Sequence, residues 1–214
     1  MKKLSQATIA ALAAAWFLAV SAGFVALWRY KLTPGAKRTV ALAWPQTSQL
    51  RPAADRDTLL LFAHPHCACT RATLSELARL LARYGDRLDA WVLFAAPEGE
   101  GADFTRSDLW ASALRIPGVH VLRDDGAAEA GRFGIATSGT VALYDRGGKL
   151  LFHGGITPAR GHEGDSFGRE RIVSLLTTGR SDRADAPTFG CALSNDEPVR
   201  VAHADTGTVP RENR

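Results

Sequence analysis

The most uniform apolar pattern in the chain comes first. From Thr8 to Trp28 there is no charged residue, and Ala, Leu, Val, Phe, Ile and Trp fill nearly every position, with Ser21 and Gly23 as mild interruptions. About 20 such residues suffice to cross a bilayer as a helix. Trp28, Tyr30 and Lys31 then stand where interfacial rings and a snorkelling ammonium are favoured. Residues 1–28 are therefore expected to be a membrane anchor. The small residues Val20-Ser21-Ala22 offer the alternative of a cleaved signal sequence, but the apolar run continues past them to Trp28. The flanking charges, Lys2 and Lys3 against Arg29, Lys31, Lys37 and Arg38, do not favour export. The extracytoplasmic orientation rests instead on the very short leading tail.

Beyond the anchor the pattern changes. Residues 29–57 are rich in Pro, Thr, Gln and Arg and read as a tether, with only Val40 to Trp44 able to form a short strand. Thr58 to Ala63 and Leu88 to Ala96 are continuous apolar runs, as in strands buried on both faces. Between them Leu74, Leu77, Ala78 and Leu81 recur at helical spacing, with Thr73 and Glu76 placed like a capping box near the start. Asp103 to Leu114 reads as a helix closed by Pro117-Gly118, Val119 to Leu122 as an extended piece, and Ala127 to Phe133 as a short helix. Thr140 to Tyr144 and Lys149 to His153 flank Asp145-Arg146-Gly147-Gly148, a hairpin signal. A last helix, Ser166 to Leu176, is expected to bury Phe167, Ile172, Leu175 and Leu176. Residues 194–214 turn polar, hold Pro198 and Pro210, and read as a disordered tail.

At 214 residues, 46% of them hydrophobic, the chain holds one domain with a real core, spanning about 58–193, in addition to its anchor. The net charge of +4 is spread thinly, and no basic block alternates with aromatics, so nothing points to nucleic acid. Three cysteines exclude a disulfide scaffold. There is no P-loop, no G-x-S-x-G elbow and no H-E-x-x-H helix.

Chemistry concentrates in His64-Pro65-His66-Cys67-Ala68-Cys69-Thr70, at the junction of a predicted central strand and a helix. Unpaired N–H groups and the helix dipole favour a thiolate there, and a cationic His66 would add to the effect. The order of strand, cysteine motif, helix, strand, helix, hairpin and helix resembles the thioredoxin-like superfamily, most clearly over Leu59 to Leu81. The resemblance implies an α/β fold, a central mixed sheet flanked by helices. It also implies that Cys67 is the attacking thiolate, Cys69 its resolving partner, and protein thiols or disulfides the substrates. Two departures accompany it. Thr70 stands where the family has its second cysteine, and Gly139 stands where a cis-proline usually precedes the hairpin. Ser138, Gly139 and Thr140 are accordingly the substrate-binding candidates, with a backbone that can pair with a bound peptide but lacks a locked cis bond. The anchor, the Cys67-Ala68-Cys69 stretch and Phe189-Gly190-Cys191 together resemble the bacterial membrane-anchored RedB-type proteins. That likeness implies a place at the cytoplasmic membrane with the domain facing the periplasm.

A second chemistry fits the same residues. Two thiolates and nearby imidazoles suit Cu(I) or Zn(II), with His64, His66 and His153 as further ligands beside Cys67 and Cys69. A non-catalytic interaction domain is a third reading. For Cys191 the choice lies between folding back as a third sulfur and being a lone buried thiol, the commoner fate. His162, with Glu163 and Asp165, reads as a solvated loop.

Overall fold

The computed structural model describes residues 5–193, so the polar tail expected from 194 onward lies outside the described residues. Helix α1, Gln6–Leu32, is capped by Ser5 and buries none of its residues. Its most apolar window has a mean hydropathy of 2.1. It runs four residues past Trp28, and Arg29 and Lys31 in its last turn suit the negative end of the helix dipole.

The domain is built on strands β1 (Asp57–Ala63), β2 (Leu88–Ala96), β3 (Val119–Asp125), β4 (Thr140–Tyr144) and β5 (Leu150–Gly155). They form one sheet in the order β3-β2-β1-β4-β5. The first three are parallel, β4 runs antiparallel to β1, and β5 closes the hairpin. β1 is thus central, which explains its unbroken apolar run. Leu59, Leu61 and Ala63 face α2 (Ala68–Tyr84), α3 (Asp108–Leu114) and α5 (Phe167–Thr178). Leu60 and Phe62 face α4 (Ala128–Phe133) on the other side. Helices on both faces of a mixed five-stranded sheet, with a parallel βαβ unit followed by an antiparallel hairpin, make a thioredoxin-like fold.

Several expectations need correction. The helix after β1 starts at Ala68, not near Thr73, so Thr73 and Glu76 are buried interior positions rather than a capping box. Between β2 and β3 the chain makes a 3₁₀ turn, Ala102–Phe104, before α3 begins at Asp108. Phe167 is 74% exposed, because it is the first residue of α5 and points off the core, while Ile172 and Leu176 are buried. The stretch read as a tether packs on the domain. Trp44 sets its ring edge-on to Phe133 and Tyr144, at 5.1 and 5.2 Å between centroids. Glu129 accepts from the Ser48 hydroxyl and the Gln49 N–H. Only Ala43, bridged to Lys149, realises the strand expected at Val40 to Trp44. Hydropathy alone does not show this, since the contacts are a few scattered side chains, Val40, Trp44 and Leu50, and hydrogen bonds to Glu129.

Glu76 ties α2 to α5. Its fully buried carboxylate accepts from Arg79 at 2.6 Å, Arg169 at 3.0 Å and the Gly164 N–H at 2.8 Å. Removing one member of such a group strands the others, so Glu76→Ala should destabilise the domain by about 3 kcal/mol and Glu76→Gln by clearly less. Urea denaturation of the two variants checks the ranking.

Candidate functional site

β1 ends at Ala63, and His64-Pro65-His66 turns the chain into α2, for which Cys67 is the N-cap. The preceding loop of β4 is stitched to this junction. The His64 N–H donates to Ser138 Oγ at 2.8 Å, Ser138 Oγ shares a hydrogen with Thr70 Oγ1 at 2.9 Å, and the Gly139 N–H donates to Phe62 at 2.8 Å. Gly139 has φ +88°, a conformation glycine adopts freely, and no cis peptide occurs among the described residues. The Thr140 hydroxyl donates to the Thr137 carbonyl. The substrate-binding candidates therefore line the same junction as Cys67.

The C-terminal segment returns to this point. Ala192 bridges Thr137 in antiparallel fashion, the Ser138 N–H donates to the Cys191 carbonyl at 2.8 Å, and the Leu193 N–H donates to Ala136 at 2.9 Å. The Cys191 thiol is thereby brought beside the Cys67 sulfur, and Cys69 neighbours Cys67 as well. Three sulfurs meet, with Cys67 in the middle. It is 1% exposed, Cys69 is half-buried and Cys191 is exposed. The commoner expectation for Cys191, a lone buried thiol, does not describe it.

Electrostatics single out Cys67. Burial opposes its ionisation, yet the Cys191 thiol and N–H, the Thr70 hydroxyl and the Cys69 N–H all favour the thiolate and together lower its pKa. The N-cap position supplies the free N–H groups. Burial, and then the Cys67 sulfur, push Cys69 up, against the pull of the Arg160 guanidinium. Cys191 is pushed up to about 11, by burial first and then by its bond to Cys67. Cys67 ionises first, flanked by two thiols that stay protonated. Site-resolved alkylation across pH should show Cys67 half-reacted at a lower pH than Cys69, with Cys191 last.

Arg160 was not legible in the sequence. Its guanidinium stands beside Cys69, donates to the Gly190 carbonyl at 2.7 Å and lies over the Tyr30 ring at 5.0 Å, joining the end of α1 to the sulfurs. Its Nε is the only buried side-chain polar atom without a partner among the described residues. The sequence signal for the return of Cys191 is the glycine before it, Gly190.

The histidines are placed differently. The His66 N–H donates to His64 Nδ1, and the His66 ring stands edge-on to Phe104 at 4.9 Å rather than on a sulfur. His64 is held below its usual pKa by burial and then by His66. His153 sits in β5, beside Asp185 and Lys37, apart from the sulfurs. Among the described residues no group of three or more His, Cys, Asp or Glu side chains is arranged to hold a metal ion, so the Cu(I) or Zn ligand set of Cys67, Cys69, His64, His66 and His153 is not assembled.

No family model and no curated protein matches the sequence. Solved structures do share its fold. A hypothetical protein from Sinorhizobium meliloti superposes with a TM-score of 0.56 at 20% identity, over 72% of this chain and 94% of that one. An uncharacterized conserved protein from Geobacillus kaustophilus gives 0.56 at 18% identity, over 78% and 94%. A putative thioredoxin from Neisseria meningitidis gives 0.45 at 16%, over 70% and 95%. The chain is a thioredoxin-like α/β domain preceded by a long apolar helix.

Proposed function

We propose that the chain is an extracytoplasmic thiol–disulfide oxidoreductase, held at a bacterial membrane by residues 8–28, that acts on cysteines of protein partners. One observation carries this reading. The thiol of the residue at the N-cap position of α2, just past the central strand, is the one its surroundings ionise most readily, and the thiolate is the reactive form.

In the reductive direction the Cys67 thiolate attacks one sulfur of a partner disulfide. The other partner sulfur leaves as a thiolate and takes up a proton. A second thiol of this chain then attacks Cys67 Sγ, expels the remaining partner sulfur and leaves the chain oxidised. Cys69 is the candidate closest in sequence. Run backwards, the same steps oxidise a partner dithiol. The edge Ser138-Gly139-Thr140 serves as the rest for an extended partner segment, a role supported by the Ser138 N–H, which already pairs with the chain's own Cys191 carbonyl. The RedB-type likeness agrees with this reading through the anchor, Cys67-Ala68-Cys69 and Phe189-Gly190-Cys191.

Intact mass of the full chain, reduced and then treated with oxidised glutathione, tests the proposal. Reversible loss of two hydrogens is the expected result. A chain that never cycles between thiol and disulfide overturns it.

A further inference from the structure

The segment from Thr188 to Leu193 is held over Cys67 by more contacts than a chain end requires. The Gly35 N–H donates to the Thr188 carbonyl at 2.8 Å and Thr140 Oγ1 to Thr188 Oγ1 at 3.2 Å. Arg160 holds the Gly190 carbonyl, Ser138 that of Cys191, and Leu193 reaches Ala136. Phe189 and Leu193 are buried on either side. A Cβ on Gly190 would collide with the Ser138 carbonyl, so only glycine lets the segment come this close. The backbone bonds at Thr188, Gly190, Cys191 and Leu193 hold the chain on both sides of one side chain, the Cys191 thiol.

Cys69 is presented less well. Its sulfur neighbours that of Cys67, but a disulfide between residues only two apart closes a small ring on the first turn of α2. A disulfide between them, which needs Cβ atoms about 3.8 Å apart, would have to distort the first turn.

Resting on the redox reading above, we propose that Cys191 is the resolving thiol of this protein, and that residues 188–193 form a latch which closes over Cys67 as a Cys67–Cys191 disulfide. The step balances without a further oxidant. Cys67 bound to a partner sulfur is attacked at Sγ by Cys191. The Cys191 S–H proton passes to the departing partner sulfur, the mixed disulfide breaks, and the intramolecular disulfide forms. The two electrons accepted by the partner disulfide have come from Cys67 and Cys191. The exposed face of Cys191 then lies where an external thiolate can reopen the bond, with the stabilised Cys67 thiolate as leaving group.

Disulfide mapping of the full chain in detergent decides it. After oxidation with oxidised glutathione, blocking of free thiols and trypsin digestion, peptide 57–71 should appear joined to peptide 184–200, with Cys69 blocked. Cys191→Ser should instead accumulate glutathione on Cys67, at least roughly tenfold above the wild type. A link inside peptide 57–71 with Cys191 blocked overturns the latch but leaves the redox function standing. Absence of any disulfide in the wild type, together with absence of any adduct in Cys191→Ser, overturns both.

Discussion

Cys67→Ser should lower the rate of exchange with a small aromatic disulfide to background, a loss of roughly a thousandfold or more. A hydroxyl stays protonated at neutral pH and is a far weaker nucleophile than a thiolate. The effect should be large because the site ionises one sulfur preferentially: burial, the first cause at both Cys69 and Cys191, holds them toward the neutral thiol and persists when Cys67 is replaced. Folding should be unaffected, since serine is smaller and keeps a polar atom at the N-cap, where serine is favoured. Stopped-flow release of the aromatic thiolate, with circular dichroism as the control, provides the measurement. If Cys67→Ser keeps more than a tenth of the wild-type rate, the attack comes from another sulfur.

Gly190→Val should be the second large change. Its side chain cannot fit against the Ser138 carbonyl, so the segment over Cys67 must lift. Phe189 and Leu193, each less than a tenth exposed, would lose their burial. At about 1.5–3 kcal/mol for each large apolar side chain, an upper estimate, the cost is a sizeable share of a small domain's stability. Two opposed effects should appear at Cys67. The limiting alkylation rate at high pH rises because reagent reaches the sulfur, while the pH of half-reaction also rises because the Cys191 donor has gone. A full pH profile separates them. A profile unchanged in both respects would mean that the segment does not cover Cys67 in solution.

The parts of this fold that follow from periodicity were legible in the sequence. The runs at β1 and β2 are continuous because both faces of the sheet are covered, and the hairpin is marked by its Gly147-Gly148 turn. What stayed hidden depends on contacts between residues far apart in sequence. Nothing in the order of residues brings Arg160 to Cys69, or turns Trp44 onto Phe133 and Tyr144. The start of α2 was read late because its first turn carries the two cysteines and a threonine in place of an apolar stripe. The return of Cys191 was half legible. A glycine between an aromatic residue and a cysteine marks a close backbone approach, but not the surface approached.

The stacking of Arg160 on Tyr30 also fixes a height. Tyr30 lies in the last turn of α1, and the same guanidinium reaches Cys69 and Gly190, so the reactive sulfurs sit about one arginine side chain from the end of the anchor. On the proposed anchoring of residues 8–28 in a bilayer, they would stand level with the lipid headgroups. A partner diffusing freely in the aqueous phase would have to bring its cysteine down to that plane. On that same reading, a cysteine in the first extramembrane turn of another integral protein would already be there, and lateral diffusion alone would deliver it.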